Sequence, residues 1–181
     1  MRNILKNRLA LSTVVTTLII LVVSVLLAGV VTYFAINVTS TRVQEESLQL
    51  SYQHVWVTAA GAAQAAVMIT NTGGRDVVIS QIQVRGQTCA NLFDLTPATT
   101  ELTTDLTHVA ALANASAVTG FAEVLVSVAA GQNIVLPASH TVVVYINTPD
   151  SISINDIGLT VGFTVFTSQA MYYKEANVQA A

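Results

Sequence analysis

The sequence predicts an α+β chain: one long N-terminal apolar helix followed by an all-β antiparallel sandwich. Three observations predict it. No Asp, Glu, Lys or Arg occurs from Leu9 to Thr41, a stretch of 33 residues. Beyond Ser51 the hydrophobic period changes from helical to two. The remaining chain offers about seven short strands separated by turn signals, with no strand–helix alternation of the kind that builds parallel sheets.

The helix comes first, and the charge distribution orients it. Of 181 residues 52% are apolar and 9% charged, where a soluble domain averages about 25% charge. That hydrophobicity excludes intrinsic disorder. Seven basic residues against ten acidic ones give a net charge of −3, so there is no basic footprint for nucleic acid. Arg2, Lys6 and Arg8 sit in the first eight residues, and every acid lies at or after Glu45. Without those eight residues four basic and ten acidic residues remain, a net charge of −6. A basic end held in the cytoplasm, an apolar span and an acidic domain outside follow the positive-inside rule. The run is too long for a signal peptide, whose apolar core is about 7–15 residues. At about 1.5 Å per residue it reaches roughly 50 Å, against a hydrocarbon core of about 30 Å. Tilt absorbs part of the excess, and a helix that also packs against copies of itself accounts for it better.

Arg42 to Leu50 is expected to extend this helix, so the organisation reads as 1–8, a basic leader; 9–50, the helix; and 51–181, the head. In the head, Tyr52, His54 and Trp56 alternate with Gln53, Val55 and Val57. Val67 to Thr70 is a second strand, closed by Asn71–Asp76, a Gly-Gly turn of hairpin type. Val78 to Val84 follows. Residues 87–119 hold eight threonines and read as a surface excursion with a helical turn around Leu102 to Ala113. Strands resume at Phe121–Val128, Asn133–Ala138 and His140–Asn147, and Pro149-Asp150 breaks the chain. Leu159, Val161, Phe163 and Val165 alternate with polar or small residues in the clearest half-buried strand, and Ala170 to Val178 is the last.

Catalytic chemistry has little to stand on. Cys89 is the only cysteine, so no intramolecular disulfide forms, and it reads as a small core residue. His54, His108 and His140 lie in different segments without paired metal-ligand spacing. Asp94, Glu101 and Asp105 fall in the excursion and read as solvated, with contact to a cation the alternative. We therefore expect no enzyme, no cofactor and no metal site. Asn37-Val38-Thr39 and Asn114-Ala115-Ser116 are sequons, which makes Asn37 and Asn114 the candidate N-glycosylation sites.

Lys6-Asn7-Arg8, followed by Leu9-Ala10-Leu11-Ser12-Thr13-Val14-Val15, resembles the N-terminus of archaeal type IV pilins and archaellins. The resemblance covers residues 1–50 in detail. It implies a class III signal peptide cut between Arg8 and Leu9 by a prepilin peptidase, and a head of immunoglobulin-like kind. It implies a precursor in the cytoplasmic membrane that leaves for a surface filament of its own copies, served by an assembly ATPase and a membrane platform protein. Bacterial pilins carry Glu at the fifth mature position, here Thr13; the glycine frequent near the mature start of archaellins is replaced by Leu11. The latter departure favours an adhesive pilus over a swimming filament.

Physical reasoning supports assembly beside the resemblance. A helix apolar on every side must be covered on every side. Ala10, Ser12, Ala28, Gly29 and Ala35 are small enough for close helix approach, and Val22 lies mid-span. A leader left in place would bury three unpaired positive charges in a helix bundle, at a cost of several kcal/mol each. The alternatives are an archaellin, or a single-span anchor holding an extracellular β-domain as a binding module.

Overall fold

The computed structural model of the protein describes residues 2–43, 45–94, 98–99, 105–112, 125–129 and 131–181, and the side chains of all of these except 2–10, 42 and 43. Two units result, the N-terminal helix and a β-rich head beginning at Gln44.

Helix α1 runs from Arg2 to Val43. It ends seven residues before the expected boundary, because Leu48 and Leu50 are core residues of the head's first strand. Glu45–Ser47 are tied to the strands of the head. Thr72 and Gly73 donate their N–H groups to Ser47 O at 2.9 and 3.2 Å, and the Thr167 hydroxyl bonds the Glu46 carboxylate. Gly73 is required here: a Cβ would lie 2.7 Å from Glu45 O and 2.9 Å from Ser47 N.

The described strands are β1 (Leu48–Val57), β2 (Ala63–Asn71), β3 (Val77–Val84), β4 (Gln87–Thr88), β5 (Leu92–Asp94), β6 (Val126–Val128), β7 (Ile134–Leu136), β8 (Thr141–Asn147), β9 (Thr160–Thr167) and β10 (Met171–Ala180). They form one sheet in the order β4-β3-β9-β10-β1-β2-β8-β5-β6, with β7 also beside β3. The sequence suggested two antiparallel layers. Instead the sheet is continuous and curls on itself, and its halves join through one parallel pairing, Val55–Val57 of β1 with Val178–Ala180 of β10. All other described pairs are antiparallel. Between the halves lies the main core, with Val55, Val67, Ile69, Val144 and Ile146 from one and Ile82, Val84, Leu136, Phe163 and Val165 from the other.

Asn71–Asp76 is not a hairpin turn. β2 pairs with β1 and β8, and β3 with β4, β7 and β9, so the segment crosses from one half of the sheet to the other. Asn71 sets that crossing. Its side-chain amide is buried and donates to the carbonyls of Arg75, Leu136 and Pro137, while its Oδ1 accepts from the Gly73 N–H.

The excursion is likewise more than surface. β4 and β5 lie within it, residues 105–112 have no helical turn, and the rest of the expected turn falls outside the described residues. Leu106, Val109 and Leu112 pack with Leu125 over the second face of the sheet, against Trp56, Met68, Val143 and Tyr145. Strands β2 and β8 are therefore covered on both faces, which is why Ala63–Asn71 and Thr141–Ile146 are buried without alternation. Of the expected strand Phe121–Val128, β6 is described and 121–124 lie outside.

Two polar side chains hold this strap. The buried Gln64 pairs with both backbone groups of Val109, its Nε2 donating to the carbonyl at 2.8 Å and its Oε1 accepting from the N–H at 2.9 Å. The Tyr145 hydroxyl donates to Thr107 O at 3.0 Å, and burial pushes its pKa up to about 12. An unsatisfied buried polar group costs about 1–3 kcal/mol. Replacing Gln64 by Ala leaves two of them, so we expect a loss of about 2–6 kcal/mol of head stability. Urea unfolding measures it, and faster amide exchange confined to residues 105–112 identifies the strap as the part released.

Candidate functional site

Helix α1 is the candidate. From Leu11 to Thr41, 31 residues are long and apolar enough to cross a membrane, and none of the window is buried within the chain. Eighteen large apolar side chains are exposed there, on every side of the helix, from Leu11 at 69% and Leu26 at 64% to Phe34 at 69%. Burying one such side chain is worth about 1.5–3 kcal/mol, so covering the helix releases tens of kcal/mol.

Five of its hydroxyls are satisfied within the helix itself. Thr16, Ser24, Thr32 and Thr41 donate their hydroxyls to the carbonyls of Ser12, Ile20, Ala28 and Asn37, four residues back, at 2.7–2.9 Å, and Thr17 donates to Val14 O at 2.9 Å. Hydroxyls satisfied inside their own helix ask nothing of a neighbour, so an apolar partner meets no desolvation penalty there. Val30, Val31, Phe34, Ala35, Val38 and Thr39 line a shallow hollow of about 560 Å³ on this surface.

The residues singled out by sequence take these places. Arg8 and Leu9 lie within the continuous helical backbone, and their side chains, with that of Ala10, are outside the described set. Ser12, Val22, Ala28, Gly29 and Ala35 are exposed, and a Cβ on Gly29 would meet nothing within 4 Å. Asn37 is exposed on the helix; Asn114 and Glu101 lie outside the described residues.

In the head, the fold brings together groups that sequence left apart. His54 Nε2 lies 2.7 Å from Asp105 Oδ1, the His54 ring stacks on Trp56 at 5.2 Å, and His108 meets Trp56 edge-on at 6.2 Å. Alternation puts His54 and Trp56 on one face of β1, but nothing in the sequence announces that the excursion returns to them. His140 is elsewhere, with Nδ1 2.9 Å from Ala138 O. Asp94 is half-buried, and desolvation raises its pKa. Among the described residues no group of three or more His, Cys, Asp or Glu side chains is placed to hold a metal ion.

Cys89 is half-buried beside Gln87 O, and burial pushes its thiol up to about 11 from 9.0. The thiolate is the reactive form, so its population falls about a hundredfold. We expect iodoacetamide at neutral pH to label Cys89 far more slowly in the folded protein than in urea, with mass spectrometry as the readout.

No family model matches the chain, and no curated protein matches it. Among solved structures, the chain is similar to one described as the apo PCuAC domain from PmoF1, at 14% identity and a TM-score of 0.36 over 76% of this chain and 100% of that one. A likeness at that score carries no argument about this protein. What the fold and the site define is a class by architecture: an α+β chain with one exposed, apolar, membrane-length helix and a curled β-rich head.

Proposed function

We propose that the chain is a pilin, the structural subunit of an extracellular filament of archaeal type IV pilus kind. The precursor sits in the cytoplasmic membrane through α1. Removal of residues 1–8 between Arg8 and Leu9 frees the helix to pack with copies of itself in the filament core, leaving the curled β-rich heads outside. The prepilin peptidase, assembly ATPase and membrane platform protein belong to this reading through the resemblance alone. Adhesion to surfaces is the favoured role over swimming, and the protein is not an enzyme.

One observation carries the reading. The helix presents apolar side chains in all directions for 31 residues, roughly 46 Å at 1.5 Å per residue, with its described hydroxyl bonds turned inward. Lipid alone covers about 30 Å of such a helix. A bundle of identical helices covers all of it.

Processing tests the proposal. Mass spectrometry of the surface form should give a mature N-terminus at Leu9. A mature chain that begins at Met1 supports a permanent anchor instead, and one that begins after Thr41 makes the helix a secretion signal; either result ends the pilin reading.

A further inference from the structure

The outer face of β9 and β10 has a feature that filament assembly does not use. Gly162 lies in the middle of β9, where glycine weakens a strand and marks the close approach of another group. That group is Tyr173. The antiparallel register sets Tyr173 opposite Thr164 and Glu175 opposite Gly162, and the Tyr173 ring leans diagonally over the glycine. A Cβ at Gly162 would lie 2.5 Å from Tyr173 Cε2. The phenol donates to Glu175 Oε1 at 3.0 Å, which fixes the ring, yet the residue stays 58% exposed. The result is a flat aromatic surface held open to solvent.

Beside it lies a hollow of about 400 Å³ whose lining includes Gln53, His54, Thr160, Glu175 and Asn177. Its side chains are ordered by the protein. Gln53 Nε2 donates to Glu175 O at 3.1 Å, Thr160 donates to Asn177 Oδ1 at 2.8 Å, and His54 is held by Asp105. Hydrogen-bonding capacity is left over: among the described residues Gln53 Oε1 and the Asn177 amide N–H groups take no partner. Planar amides accept and donate, and a carboxylate accepts, all in fixed directions, which suits vicinal hydroxyls, each at once donor and acceptor. An exposed tyrosine ring supplies a surface for the C–H face of a pyranose. Glu175 is the one formal charge among the lining groups named, which disfavours acidic sugars.

We propose that this face, with Tyr173 laid on Gly162 beside Gln53, Thr160, Glu175 and Asn177, binds neutral oligosaccharide. The proposal stands apart from the pilin reading, because each subunit carries the whole face and binding needs no filament. The test is nuclear magnetic resonance titration of the full chain, in a polyoxyethylene detergent free of sugar headgroups, with cellohexaose, mannohexaose and hexagalacturonate. Saturable binding of at least one neutral hexasaccharide is expected, with hexagalacturonate at least about tenfold weaker. Gly162→Ala, which displaces the ring without removing it, and the exposed Asn177→Ala should each weaken binding about tenfold or more, with circular dichroism unchanged. If Gly162→Ala misfolds, Asn177→Ala decides. No saturable binding of either neutral sugar, tighter binding of the acidic one, or full binding by the folded variants overturns the proposal. Tyr173 would then serve only to cover a strand glycine.

Discussion

Val22→Lys is expected to remove the protein from surface filaments while leaving it in the membrane. Val22 lies in the middle of the uncharged run and is exposed on α1, so its side chain must meet whatever covers the helix. A lysine at the centre of a membrane helix costs about 2.5–3.5 kcal/mol on insertion scales, and a span this rich in Leu, Ile and Val tolerates one. A bundle does not. Every subunit would bring the same ammonium into a shared apolar core, and no acid between Leu9 and Thr41 is there to neutralise it. An unpaired buried charge costs several kcal/mol, and the cost repeats with each subunit added. Negative-stain counts of filaments, read beside an antibody probe of the membrane fraction, separate the two environments. A permanent anchor predicts a membrane fraction near normal and no assembly to lose.

The second large effect follows from the boundary between the units. A chain of residues 45–181 should be a soluble, β-rich domain that unfolds cooperatively and stays monomeric. Its core closes between the halves of its own sheet, and the helix proposed to drive assembly is absent. Beginning at Ser51, where the alternation first becomes clear in the sequence, should fail. That cut removes Leu48 and Leu50, both buried, together with their pairing to Asn71 and Ile69 and the ties from Ser47 to Thr72 and Gly73. Truncating one buried leucine to alanine typically costs about 2–5 kcal/mol, and two are lost here with their backbone. Circular dichroism and analytical sedimentation compare the two chains. Filaments formed by residues 45–181 alone would show that assembly does not run through α1.

How far the sequence could be read depended on whether each element's environment left a local trace. The helix is plain because a 33-residue stretch without charge has few physical explanations. Strand β9 is plain because one face meets the core and the other meets solvent, so Val161, Phe163 and Val165 stand out by alternation. Alternation fails where both faces are covered. Val142–Ile146 are all buried because the main core lies on one side and the strap from the excursion on the other. Partner choice leaves less trace still. Nothing in Val55–Val57 tells that the chain's last strand pairs with it in parallel, and Asn71–Asp76 has the composition of a hairpin turn although Asn71 spends its amide on a crossover. The candidate site divides in the same way. The apolar helix was visible as composition. The contact of His54 with Asp105 and the placement of Tyr173 on Gly162 depend on long-range register that no spacing encodes.

The central claim is that α1 lies in the core of a filament built from copies of this chain. Helical reconstruction, by electron cryomicroscopy, of filaments sheared from the cell surface tests it most directly. The account predicts a dry central bundle of α1 helices that begin at Leu9, with the heads from Glu45 onward forming the outer wall. Filaments that lack this chain, or that contain it with α1 outside the core, would contradict it.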